Sequence, residues 1–158
     1  AGWQLYRGNA EGLAGTIAKI KAAGAERVVL IGPGLNWSFP PSRIVLRRWR
    51  LDPLHAVPSP RLDYQRYGAY ERWEENHDQI YRRTDKMEVR IRSIAQESGA
   101  QFISLIEQLC NAEGCLMRAP NSGFSFYLDP VHLNPNGAEF LLHAIEPQLG
   151  LGGPSAAE

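Results

Sequence analysis

The chain has 158 residues, of which 44% are hydrophobic and 22% charged, a make-up that suits one domain with its own core. Lys+Arg and Asp+Glu each total 17, so the formal net charge is zero and there is no electrostatic case for a nucleic-acid partner. No run approaches the ~20 apolar residues of a membrane span, and with no initiator Met or signal-like segment, any targeting information is expected outside these residues.

The chain opens on Ala1-Gly2-Trp3-Gln4-Leu5-Tyr6. From Glu11 to Ala23, Leu13, Ile17 and Ile20 recur at helical spacing, and Gly24 is a natural stop. Arg27-Val28-Val29-Leu30-Ile31-Gly32-Pro33 is a short β-branched run that reads as a buried parallel strand over 27–32 opening into a loop. A helix followed by such a strand is half of an α/β unit. Loops at the carboxyl ends of strands line the crevice of open α/β sheets. Asn36, Trp37 and Phe39 are therefore candidates for a binding rim, with plain loop packing as the competing reading. Gly32-Pro33-Gly34 lacks the further glycine and lysine of a phosphate loop.

Ser42 to Arg50 reads as a short helix with Ile44, Leu46 and Trp49 inward and Arg47, Arg48 and Arg50 on a solvated face. Residues 51–63 carry three prolines and no periodicity, so a connecting loop or flap is expected. Tyr64 to Ser98 reads as mostly helical, with Ile80, Met87, Ile91 and Ile94 near one stripe and favourable i,i+4 pairs at Asp78–Arg82 and Glu88–Arg92. The acidic cluster Glu71, Glu74, Glu75, His77 and Asp78 spreads around such a helix and is not taken as a metal site.

A second buried strand is expected over 99–105, then Ile106 to Leu109 leads into Cys110-Asn111-Ala112-Glu113-Gly114-Cys115. Two Cys with no neighbouring Cys or His make a poor zinc site. They are free thiols if cytosolic; a disulfide across the tight Asn/Gly turn is the preferred reading, and it implies an oxidising compartment such as a periplasm. The short loop limits its stabilisation to roughly 2 kcal/mol. Mass measurement with and without reductant checks it, and two free thiols under non-reducing conditions remove the compartment argument.

Phe124 to Tyr127 alternates and reads as a short extended segment before Leu128-Asp129-Pro130-Val131-His132-Leu133-Asn134-Pro135-Asn136-Gly137-Ala138. Asn134 is a good N-cap and Pro135 fits a first helical turn, where no N–H is needed. His132 then sits just before a rigid helix start, with Asp129 three residues back. An acid there can hold one ring nitrogen and leave the other as a base. Asp-x-x-His alone is weak evidence, since a capping loop with a surface histidine has the same spacing. The helix continues through Ala138 to Leu149 with Leu141, Leu142 and Ile145 buried, and residues 151–158 read as a disordered tail.

The order of these features resembles the C-terminal part of SGNH/GDSL-type hydrolase domains. It is most like those fused to acyltransferase family 3 membrane proteins, which O-acetylate cell-surface glycans. The resemblance covers about residues 1–147. It rests on Asp129-x-x-His132-Leu133 with Gly137-Ala138, on the Ile31-Gly32-Pro33 strand end, and on Cys110 and Cys115; Trp3 and Tyr6 match a Trp-x-x-Tyr found in that branch. It implies a three-layer α/β/α sandwich with a parallel sheet over residues 1–150. It also implies a triad in which Asp129 orients His132 and His132 activates a serine. No metal or organic cofactor is implied. Trp3, Asn36, Trp37 and Tyr127 are the substrate-binding candidates.

The departure is the missing Gly-Asp-Ser block that carries the serine in that family. Neither Ser38 nor Ser122 has the strained elbow of a nucleophile. The expectation is a partial domain whose N-terminal strands are missing from this chain, with those strands in cis or a second chain covering the 27–32 edge. The implied activity is acyl transfer or ester hydrolysis on a surface glycan, outside the cytoplasm and attached to a membrane protein. The alternatives are a non-catalytic glycan-binding module, with Trp37, Phe39 and Tyr127 as sugar platforms, and a free-standing secreted esterase.

Overall fold

The structure is a computed structural model, and it describes residues 10–56, 58–72, 80–120 and 123–150. Helix α1 (Ala10–Ala22) ends before Gly24, whose left-handed backbone (φ 97°) lets the chain turn into strand β1 (Val29–Ile31). β1 pairs in parallel with β5 (Gln101–Ile103), Leu30 opposite Phe102, and Gly32 N–H carries the ladder on to the Ile103 carbonyl at 2.8 Å. Helix α4 (Arg83–Glu97) packs on both α1 and β5. Two cations tie the far ends of the helices to the sheet side. Lys21 Nζ donates to the Ser98 and Gly99 carbonyls beyond α4, and Arg27 donates to the Gln148 and Leu149 carbonyls at the end of α6 (Pro135–Leu149). The expected α/β architecture with a parallel sheet holds.

Among the described residues β1 has β5 as its one partner, and Ile31 is exposed. The strand is therefore less buried than its composition suggests, because one edge and part of a face lack a neighbour.

The long helix expected over 64–98 is corrected. The chain makes one helical turn, α3 (Tyr64–Tyr67), then an antiparallel pair, β3 (Tyr70–Arg72) with β4 (Ile80–Arg82), and only then α4. The break is at Gly68, where a Cβ would lie 2.7 Å from the Tyr64 carbonyl oxygen; the backbone there is extended and bridges Trp37. Ile80 thus belongs to a strand, not to the α4 stripe. Of the proposed ion pairs, Glu88–Arg92 forms at 3.0 Å, while Asp78, with Glu74, Glu75 and His77, lies outside the described residues. Residues 51–63 are not all loop either: β2 (Arg61–Leu62) pairs with β7 (Gly114–Leu116).

β6 (Cys110–Asn111) and β7 form a hairpin closed by the Cys110–Cys115 disulfide, so the preferred reading of the cysteines holds. Gly114 at its turn has φ 117° and packs on the Leu62 backbone, leaving no room for a Cβ.

The main core lies beside the parallel pair rather than on it. Leu35, Trp37, Ile44, Leu62, Tyr64, Leu109, Leu116, Met117, Phe126, Tyr127 and Leu141 form one buried cluster. It draws together the loop after β1, helix α2 (Pro41–Leu51), α3, α5 (Leu105–Leu109), the disulfide hairpin and α6. Three inward assignments are corrected: Leu46 and Trp49 of α2 and Leu142 of α6 are exposed, as is Ile20 of α1. α2 and α6 enter the cluster at Ile44 and Leu141, while α1, packed on α4, buries Ile17; on each helix neighbouring apolar positions fall outside these narrow stripes. The tail expected over 151–158 lies outside the described residues.

Candidate functional site

The loop 124–134 is fastened at both ends before its functional side chains are reached. Phe126 N–H donates to the Met117 carbonyl at 2.7 Å, and Arg118 bridges Ser125, so the loop leaves from the end of β7. On the other side Asn134 N–H donates to the Phe126 carbonyl at 2.8 Å. The Asn134 side chain accepts from Gly137 N–H at 2.8 Å, the N-cap expected for α6. Gly137 is buried against Phe126, and a Cβ there would overlap the Phe126 carbonyl oxygen. A small residue is thus required where helix and loop cross.

Between these anchors the chain closes on itself. Tyr127 bridges Leu133, and Leu128 N–H donates to the His132 carbonyl at 2.9 Å. Asp129 sits at the tip with both carboxylate oxygens engaged. Its Oδ1 accepts from the Val131 and His132 backbone N–H groups, both at 2.8 Å, and its Oδ2 meets His132 Nδ1 at 2.6 Å. The Val131 N–H, the His132 ring and the His132 N–H hold this carboxyl down at about 2. Because the carboxylate faces Nδ1, that nitrogen carries the proton and donates, and neutral His132 keeps its lone pair on Nε2. The side chain is 65% exposed, and no described residue hydrogen-bonds Nε2. The geometric expectation for the pair is met: the carboxylate orients the ring, and the distal nitrogen faces solvent.

The sign of the pH effect follows. An Asp held below its ordinary value lends its order to the loop above about pH 4, and that order is lost as pH falls through about 2. The Asp129 carboxyl carbon, followed by NMR, should titrate with a midpoint near 2; a midpoint near 4 would mean that the three hydrogen bonds do not persist in solution. The site is exposed, so salt should weaken the ionic part and spare the backbone bonds.

The loop after β1 supports this tip from beneath. Trp37 N–H donates to the Pro130 carbonyl at 2.9 Å. The indole is 1% exposed and meets Tyr64 and Tyr127 edge-on, with ring centroids 5.1 and 6.0 Å away. As sugar platforms Trp37 and Tyr127 are corrected: both rings lie in the core, where they position the loop. Burial pushes the Tyr127 phenol up, against a smaller opposing pull from the Trp37 indole. Among the described residues neither the Tyr127 hydroxyl nor Trp37 Nε1 has a partner of hydrogen-bond geometry. Asn36 is half-buried, its backbone N–H and carbonyl both bonded to the Tyr64 hydroxyl. Phe39 alone of that loop's aromatics is exposed. Trp3 lies outside the described residues.

Sequence reasoning missed Tyr64, Gly68 and Pro130, which link the β1 loop to the Asp129 tip. The only local signal was an aromatic-rich loop after a Gly-Pro strand end. Ser38 Oγ donates to the Tyr67 carbonyl at 2.9 Å and Ser125 Oγ to that of Tyr127 at 3.3 Å. Ser122 lies outside the described residues. Among the described residues no three His, Cys, Asp or Glu side chains cluster in a way that could hold a metal.

Two comparisons with known proteins found matches. The profile of a family described as "SGNH domain (fused to AT3 domains)" matches residues 2–147. Among solved structures, the periplasmic domain of a lipopolysaccharide acetyltransferase from Salmonella ser. Paratyphi A is similar in fold, with a TM-score of 0.66 and 25% identity over 88% of this chain. This chain spans about half the length of that one, 48%. A comparison with curated protein sequences gave no match.

Proposed function

The chain belongs to the family of SGNH domains fused to AT3 domains, and from that premise we propose that Asp129 and His132 are the orienting acid and the general base of a serine-dependent acyl transfer on a cell-surface glycan. The observation that carries the reading is the 2.6 Å contact between His132 Nδ1 and Asp129 Oδ2 beside a solvent-facing Nε2. A serine hydroxyl meeting Nε2 would give up its proton as its oxygen attacks the acyl carbonyl. The imidazolium, steadied by Asp129, then returns the proton to the leaving group. In the second half a sugar hydroxyl or water attacks the acyl-serine, His132 takes that proton, and it returns the proton to the serine oxygen as the ester bond to serine breaks.

The serine is assigned to a segment that covers the open edge of β1, in cis or from a second chain. No described serine hydrogen-bonds Nε2, and β1, with one partner among the described residues, leaves an edge that a further strand can pair. The disulfide supports an oxidising compartment, and the likeness to a periplasmic domain supports placement outside the cytoplasm beside a membrane. Loss of the exposed platforms Trp37 and Tyr127 to the core weakens the binding-module reading.

The test is acyl trapping on the intact protein. An activated acetyl ester should leave one acetyl group on a serine, located by peptide mass spectrometry, and added glycan should discharge it. Absence of an acyl-serine refutes the mechanism. Discharge by water at the same rate with or without glycan makes the protein an esterase.

A further inference from the structure

Helix α2 and the turn after it do something the acyl chemistry does not use. Residues 41–56 contain Arg43, Arg47, Arg48 and Arg50, all exposed, and one acid, Asp52. Both Asp52 carboxylate oxygens are already spent, accepting from Leu54 N–H at 2.9 Å and Ala56 N–H at 3.3 Å. None of the four arginines forms an ion pair with a described residue. Among these charges stand exposed apolar side chains: Leu51 is 73% and Leu54 86% exposed, with Leu46 and Trp49 beside them. The tip is built rather than frayed. Trp49 Nε1 donates to the His55 carbonyl at 2.9 Å, the His55 ring nitrogen meets the Trp49 carbonyl at 3.0 Å, and the two rings lie tilted against each other with centroids 4.7 Å apart. His55 holds a left-handed backbone (φ 47°) to make that turn.

We propose that this tip is a membrane-surface contact, with the α2 arginines on anionic lipid phosphates and Leu51, Leu54 and Trp49 in the interface. Unpaired guanidiniums that bind phosphate, flanked by leucines and a tryptophan, match the two layers of an anionic bilayer surface. A soluble polyanion would use the arginines and leave the leucines in water. α2 begins four residues after Trp37, whose N–H holds the Asp129 loop, and its 11 residues span about 16 Å. α2 thus runs in the chain from the residue that holds the Asp129 loop to the proposed contact. This inference rests on the reading that the domain works beside a membrane.

The full chain should co-sediment with vesicles of phosphatidylethanolamine and phosphatidylglycerol about tenfold or more better than with phosphatidylcholine vesicles, and less well as salt is raised. Leu51→Ser with Leu54→Ser, and separately Arg47→Gln with Arg48→Gln and Arg50→Gln, should each cut that partition about tenfold while leaving circular dichroism and Tm unchanged. Equal partition onto phosphatidylcholine, or retained partition by both variants, overturns the proposal. So does a leucine variant that partitions onto the anionic vesicles as tightly as the parent, which would make the surface a polyanion site. His132→Ala should sediment like the parent. A chain that makes an acyl-serine but ignores vesicles removes this inference alone, and one that binds vesicles without acylation removes only the chemistry.

Discussion

His132→Ala in the intact protein is expected to lower acyl turnover by about five orders of magnitude, and Asp129→Asn by about four, with the fold unchanged. The two numbers differ because the residues do different things. Without the imidazole a serine hydroxyl has no acceptor for its proton. Asp129→Asn keeps an oxygen for the Val131 and His132 N–H groups, so the loop survives. Its amide N–H₂ then faces His132 Nδ1, which must accept instead of donate, and the proton moves to Nε2 where a lone pair is needed. Steady-state ester turnover beside a thermal melt separates the cases. Both side chains are solvent-facing, so a Tm within a degree or two of the parent is expected. A His132→Ala protein with full activity would end the catalytic assignment.

Trp37→Ala is expected to cost about 3–5 kcal/mol of stability, among the largest effects a single side chain can have here. The indole fills the space between Tyr64 and Tyr127 and sits in the main buried cluster. For a chain of this size the loss corresponds to a fall in Tm of about 10 °C. Phe39→Ala, two residues on but exposed, should change stability by under ~0.5 kcal/mol. The pair discriminates between roles for this loop. A Trp37 that stacked on sugar would lose binding at unchanged Tm, whereas a Trp37 that props the Asp129 tip loses stability first and activity with it. Chemical denaturation of both variants decides it.

How much was legible varies with the range of the forces involved. The Asp129 tip and the start of α6 could be read because they are local: Asp-x-x-His, an Asn cap and a following Pro act within a dozen residues. The disulfide was equally local, a five-residue separation across a turn. The 64–98 stretch misled for the opposite reason. Its charge spacing suits a helix, but Gly68 must lie flat against Tyr64 and bridge Trp37, a contact between residues distant in sequence. Leu46, Trp49 and Leu142 misled because periodicity reports which residues share a face, not how wide a stripe the neighbours cover.

By itself the amino-acid order determined the local pieces: α1, the β1 and β5 runs, the cysteine link, the Asn134 cap, and an acid placed to hold a histidine ring. Only the folded arrangement decided that Trp37 and Tyr127 are supports and not platforms, that the core gathers beside the parallel pair, and that α2 ends in a charged, apolar tip. The reason is physical. Caps, turns and short hydrogen bonds depend on neighbours in the chain, while burial depends on which distant surfaces meet.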